Sequence, residues 1–131
     1  MKPQYPLLYV AGPYRGRNRE AVDLNIQTAK RVGALASEKG YACIVPHMNT
    51  AHLDQVTDKP DAFWLGTTME MLRVCKAVVL CPGWKNSIGT LAEIEEAGRL
   101  GLPVFTSVDD MPDAYSFNLG EFKRTVVCLP L

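Results

Sequence analysis

The segment that most narrows the possible folds is residues 77–93, Ala-Val-Val-Leu-Cys-Pro-Gly-Trp-Lys-Asn-Ser-Ile-Gly-Thr-Leu-Ala-Glu. Its first five residues form the continuous apolar run of a strand buried on both faces. Pro82-Gly83 then turns the chain, and the spacing predicts a helix over 87–100 with Gly101 as its stop. A strand that feeds a helix through such a turn leaves backbone amides free at the helix start, where an anion binds. Ser87 adds a hydroxyl, Gly89 lets a ligand approach the backbone, and Glu93 shares a helix face with Gly89 one turn further on.

The remainder alternates in the same manner. Residues 7–12 read as a strand ending in Gly-Pro, and residues 18–39 as a helix through Val22, Ile26, Ala29, Val32 and Leu35. Gly40 closes that helix and residues 41–45 form a second strand ended by Pro46, which completes a βαβ unit with a right-handed crossover. Residues 47–60 are polar and aperiodic, either a lid or an ordinary surface excursion. A helix over 61–74 uses Phe63, Trp64, Thr67, Met71 and Val74; residues 103–108 make a fourth strand, 114–122 a short helix and 125–129 a fifth strand. The expectation is one domain spanning 1–131, a three-layer, doubly wound, mostly parallel five-stranded α/β sheet of Rossmann or flavodoxin-like type.

Composition limits the partners. Fourteen Lys and Arg balance fourteen Asp and Glu, so the net charge of zero gives no footprint for a nucleic-acid polymer or an acidic membrane, and a small molecule is the expected partner. The four cysteines, Cys43, Cys75, Cys81 and Cys128, show neither metal-ligand spacing nor a disulfide framework and are expected to pack as small apolar residues. The amino-terminal residues lack the apolar region of a signal peptide, and no segment reaches the ~18 apolar residues of a membrane helix. A reducing cytoplasm is the expected compartment.

In doubly wound sheets ligands bind beyond the carboxyl ends of strands. The first such exit here is Tyr9-Val-Ala-Gly-Pro-Tyr-Arg-Gly-Arg17, the other is residues 82–93. Arg15, and after it Arg17, either recognise phosphate with charge-assisted bonds or solvate the start of the first helix. Glu93 is either catalytic or, like the neighbouring Glu95 and Glu96, solvated. The apolar positions Leu91, Ile94, Ala97 and Leu100 mark the packed side, and Glu93 lies at its margin in line with Gly89 and Ala97. Phe63, Trp64 and Trp84 either stack a base or pack in the core. His47 follows the second strand and is a better site candidate than His52, while Asn49 and Thr50 offer further hydrogen bonds.

The motif Tyr9-Val-Ala-Gly-Pro-Tyr-Arg-Gly16, the run Cys75-Lys-Ala-Val-Val-Leu80, and Ser87-Ile-Gly-Thr-Leu-Ala-Glu93 followed by Ala97 and Gly101-Leu-Pro-Val104 together resemble the nucleoside 2-deoxyribosyltransferase superfamily. The likeness is to its short bacterial and phage branch of unassigned function, near the 2'-deoxynucleoside 5'-phosphate N-hydrolases, and covers about residues 7–108. The resemblance implies that Glu93 is the nucleophile that attacks the anomeric carbon, that Tyr9 holds its carboxylate, and that Arg15 and Gly16 correspond to the arginine-glycine turn of the nucleotide-hydrolysing branch. It also implies a homodimer or higher homo-oligomer. Members acting on free nucleosides carry an aspartate where this chain has Ser87; a hydroxyl at a helix start accommodates a phosphate that a carboxylate would repel.

The chain departs from the family's pattern at Thr68, where better-known members place an aspartate, and at Pro13, where the hydrolase branch has serine. Glu70, Asp61 or a residue of a second subunit are the candidates to protonate the leaving base. The expected function is an N-glycosidase acting on nucleoside 5'-monophosphates through a glycosyl-Glu93 intermediate, with Gly12, Arg15, Gly16, Ser87, Gly89, His47 and Trp84 binding substrate and with neither metal nor cofactor. Base exchange between nucleosides, a phosphoribohydrolase related through Pro82-Gly83 and Gly89-Thr90-x-x-Glu93, and a non-catalytic nucleotide sensor are the alternatives.

Overall fold

The computed structural model describes residues 4–125 and 127–129. Four strands, β1 (Leu7–Ala11), β2 (Ala42–Ile44), β3 (Ala77–Leu80) and β4 (Val104–Phe105), form one all-parallel sheet in the order β2-β1-β3-β4. The helices are α1 (Arg19–Glu38), α2 (Pro46–Asn49), α3 (Asp61–Arg73), α4 (Ile88–Arg99) and α5 (Ala114–Asn118).

Successive strand residues point to opposite faces, and each face is covered. Leu8, Val10, Ala77, Val79 and Cys81 pack with Ala29, Val32 and Ala36 of α1. Tyr9, Ala11, Val78 and Leu80 pack on the other side with Leu72 of α3 and Ile94 and Ala97 of α4. β1 and β3 therefore have water on neither face, which is why both read as apolar runs. Asn18 caps α1 by accepting from the Ala21 amide at 2.9 Å, and Lys39 closes it. Leu35 is exposed, because the small residues Ala29, Gly33 and Ala36 form the stripe that approaches the sheet. In α3 only Leu72 is buried, and Phe63 and Val74 are exposed.

The sheet has four strands where the sequence pattern suggests five. β4 pairs through only two residues, after which Thr106 and Ser107 donate to Asp110 at 2.9 and 3.2 Å and draw the chain off the edge into a 3-10 turn, Val108–Asp110. Of the expected fifth strand, Thr125 and residues 127–129 carry no strand pairing, and Val126 lies outside the described residues. Val127 instead packs against the α4 side of the sheet. α5 stops four residues short of its expected end, and Phe122 folds back to stack on Phe117 with ring centroids 4.9 Å apart. Segment 47–60 is not wholly irregular, since it includes most of α2 and a 3-10 turn at Leu53–Gln55. Cys75 and Cys81 are buried as expected, but Cys128 is exposed. Among the described residues no helix is long and apolar enough to cross a membrane.

Candidate functional site

The strand order reverses between β1 and β3, with β2 on one side and β4 on the other. The crevice at the carboxyl ends of these two strands is where open parallel sheets hold ligands. A cavity of about 540 Å³ opens there, within the range of about 300–1,000 Å³ typical of small-molecule sites. The loop after β1, α2, and the first turns of α3 and α4 supply its walls, and Tyr9 and Glu93 lie at its depth.

Glu93 is on the packed side of α4 with Thr90, Ile94 and Ala97, and only 7% exposed. The Tyr9 hydroxyl, 1% exposed, donates to Glu93 Oε2. Burial pushes the Glu93 carboxyl up to about 7, while the Tyr9 hydroxyl and then the Thr68 hydroxyl pull in the opposite direction. Tyr9 is raised far above an ordinary phenol, first by burial and then by the Glu93 charge. The pair therefore consists of a neutral donor and a carboxylate whose ionisation is poised near neutrality.

The start of α4 stands one turn above this carboxylate. Ser87 caps the helix, accepting from the Thr90 amide at 3.2 Å and the Thr90 hydroxyl at 2.8 Å. The Leu91 amide bonds the Ser87 carbonyl at 2.9 Å. Of the four amides a helix start leaves free, those of Ile88 and Gly89 remain available to a ligand, together with the proton of the Ser87 hydroxyl.

The opposite wall is held by local hydrogen bonds. His47, 5% exposed, donates from Nε2 to the carbonyls of Gly12 at 3.0 Å and Pro13 at 2.9 Å. Burial lowers its pKa, against the pull of those carbonyls, so the ring is neutral with its lone pair on Nδ1. Asn25 donates to the carbonyls of Tyr14 and Arg15, and the Tyr14 hydroxyl accepts from the His52 amide at 2.8 Å. Gly12 sits where a Cβ would lie 2.5 Å from Cys81 Cβ and 2.7 Å from its sulfur. Gly12→Ala is thus expected to cost about 1–3 kcal/mol through overpacking. Urea titration checks this, and Cys81→Gly in the same chain should recover part of the loss.

Among the residues singled out from sequence, Tyr9, Gly12, Arg15, His47, Ser87, Gly89 and Glu93 meet at the cavity. Gly16 and Trp84 do not line it. A Cβ on Gly16 would lie 2.5 Å from that of Ala21, so this glycine serves the packing of its loop on α1. The 3-10 turn Trp84–Asn86 lays the Trp84 ring against the α4 side of the core, with Lys85 over its face. Arg15 is on the rim but already engaged, since its guanidinium donates to Asp61 Oδ1 and lies 3.9 Å from Asp54 Oδ2. Arg17 and Asn49 are exposed and outside the cavity, whereas Thr50 lines it. Glu70 pairs with Arg73 and His52 with Asp23, both away from the cavity. Asp54, which the aperiodic segment 47–60 gave no reason to select, is a wall residue. Among the described residues no three His, Cys, Asp or Glu side chains gather as metal ligands would.

Fold and site together define a parallel α/β domain with a carboxylate-bearing pocket at its switch point. The chain belongs to the family described as a domain of unknown function (DUF7768), whose family model matches residues 6–107. That stretch contains all four strands and every cavity-lining residue. No curated protein matches the sequence.

Proposed function

We propose that the protein is an N-glycosidase that cleaves the base–sugar bond of nucleoside 5'-monophosphates. The observation that carries this reading is the buried Glu93 carboxylate, held by Tyr9 one turn below the open amides of α4. In the first step a Glu93 oxygen bonds to the anomeric carbon as the carbon–nitrogen bond breaks, and the electron pair leaves with the base, which takes up a proton from solvent water. In the second step water attacks the same carbon as the Glu93 oxygen leaves, returns a proton to solvent and yields the sugar phosphate. The transition state places positive charge on the sugar, and a carboxylate at about 3.5 Å with an effective dielectric of ~20 stabilises it by about 5 kcal/mol. Ser87 and the amides of Ile88 and Gly89 hold the 5'-phosphate, with the helix dipole adding to the attraction.

The ion pairs of Arg15 favour a second reading. Its charge is opposed by Asp54 and Asp61, so an incoming phosphate must displace carboxylates to use it, whereas an uncharged nucleoside need not. That reading keeps Glu93 as nucleophile and makes base exchange between free nucleosides the reaction.

Incubation with a panel of nucleoside and deoxynucleoside monophosphates, with and without a second free base, tests the proposal by released base. Ser87→Ala is expected to raise KM for monophosphates about tenfold, with little change for the corresponding nucleosides. Equal effects on both substrate classes would reject the phosphate assignment and leave the nucleoside reading.

A further inference from the structure

A base that leaves as an anion needs a proton, and a positioned acid that supplies it contributes about a hundred- to ten-thousandfold in rate. Most of the protons carried by the cavity wall already have acceptors. Tyr9 donates to Glu93, and His47 donates from Nε2 to the carbonyls of Gly12 and Pro13. The hydroxyls of Thr50, Thr68 and Thr90 donate to the Pro46 carbonyl, the Leu65 carbonyl and Ser87 Oγ at 2.9, 2.9 and 2.8 Å. Asp54 and Asp61 are held in ion pairs by Arg15. The hydroxyl protons of Ser87 and Tyr14 remain, and a hydroxyl is a far weaker acid than a carboxyl group. Among the described residues, the cavity therefore has no carboxylic acid or imidazolium free to hand a proton to the base.

The charge of the cavity has the sign that suits a cation. Glu93, Asp54 and Asp61 line it against a single charged base, Arg15, because burial keeps His47 neutral. Arg15 is engaged by the two aspartates at the rim, whereas Glu93, only 7% exposed, takes part in no ion pair among the described residues. A buried carboxylate without a counter-ion is stabilised by a cation brought beside it.

We propose that the preferred substrates are nucleosides and nucleotides whose base is a cation at the glycosidic nitrogen, of which the pyridinium ribosides are the simplest. A Glu93 oxygen bonds to the anomeric carbon as the carbon–nitrogen bond breaks, and the electron pair neutralises the pyridinium nitrogen. The base then leaves uncharged and takes up no proton. Water attacks the same carbon as the Glu93 oxygen leaves, and one proton passes to solvent. A neutral base such as cytosine instead leaves as an anion and must draw its proton from water, without the help of a positioned acid. This inference names the substrate class of the glycosidase reading and rests on it.

Base release is measured from nicotinamide mononucleotide and cytidine 5'-monophosphate, each in ribo and 2'-deoxyribo form, and from the corresponding nucleosides. The pyridinium substrates are expected to show kcat/KM at least about a hundredfold higher, the share of rate that a positioned acid would otherwise supply, with one proton released per turnover. Calorimetric titration of 1-methylnicotinamide, a pyridinium cation with no glycosidic bond, reads the cavity charge by itself. Arg15→Ala removes the opposing cation and should tighten this binding about threefold, whereas Asp61→Asn removes an anion and should weaken it about threefold. Equal or faster release from the cytidine substrates, or a change of the same sign in both variants, would overturn the inference and leave the glycosidase reading standing. No release from any nucleoside or nucleotide would remove that reading and the inference with it.

Discussion

Glu93→Ala abolishes base release, and Glu93→Gln keeps no more than about a thousandth of it. Glutamine preserves the size of the side chain and an oxygen to accept from Tyr9, so it removes the charge and nucleophilicity with little else. The lost electrostatic contribution of about 5 kcal/mol corresponds to more than three orders of magnitude, and the missing nucleophile adds to it. Alanine also opens a space beside Tyr9. Stopped assays of released base over hours, with circular dichroism to show that both variants are folded, provide the check. Hydrolysis undiminished in the alanine variant removes Glu93 from the mechanism.

Glu93→Gln also becomes more stable than the wild-type protein as pH rises. The folded protein holds the Glu93 carboxyl at about 7, raised above its ordinary value of 4.5 by burial. The folded state therefore binds more protons than the unfolded state between these two values, and the wild type loses stability as pH climbs from about 4.5 through 7. The interval corresponds to a loss on the order of 3 kcal/mol, complete above about pH 8. Glutamine carries no ionisable group and escapes it. Urea unfolding of both proteins at pH 4.5 and pH 8 measures the difference of differences, in which the other titrating groups cancel. A stability gap that does not change with pH would show that the carboxylate is not buried as described. The same ionisation makes base release rise with pH through about 7, since only the charged form attacks.

How much of this was legible from the chain depended on whether the cause was local. The ends of α1 follow from cap chemistry, with Asn18 and Lys39 at the expected boundaries. Glu93 was readable because Gly89, Glu93 and Ala97 recur at helical spacing, and its burial follows from the side of α4 they share. The Tyr9–Glu93 contact joins residues 84 apart, and no local pattern encodes it; the expectation came from resemblance. The pairing of Arg15 with Asp61 spans 46 residues and was equally invisible, although it changes what the arginine offers a phosphate. Trp84 looked like a loop residue facing the site, yet a 3-10 turn lays its half-buried ring against the core on the α4 side. The sheet edge was overestimated because 103–108 has strand-forming residues, while Asp110 captures two hydroxyls and ends the pairing early. Asp54 lay in a segment without period, where only the folded arrangement brings it to the wall.

The central claim is that Glu93 forms a covalent bond to the sugar. When methanol competes with water during turnover of a β-nucleoside monophosphate, the double displacement predicts a methyl glycoside of retained β configuration, readable by proton magnetic resonance at early times. An α-configured first product contradicts the glycosyl-enzyme intermediate.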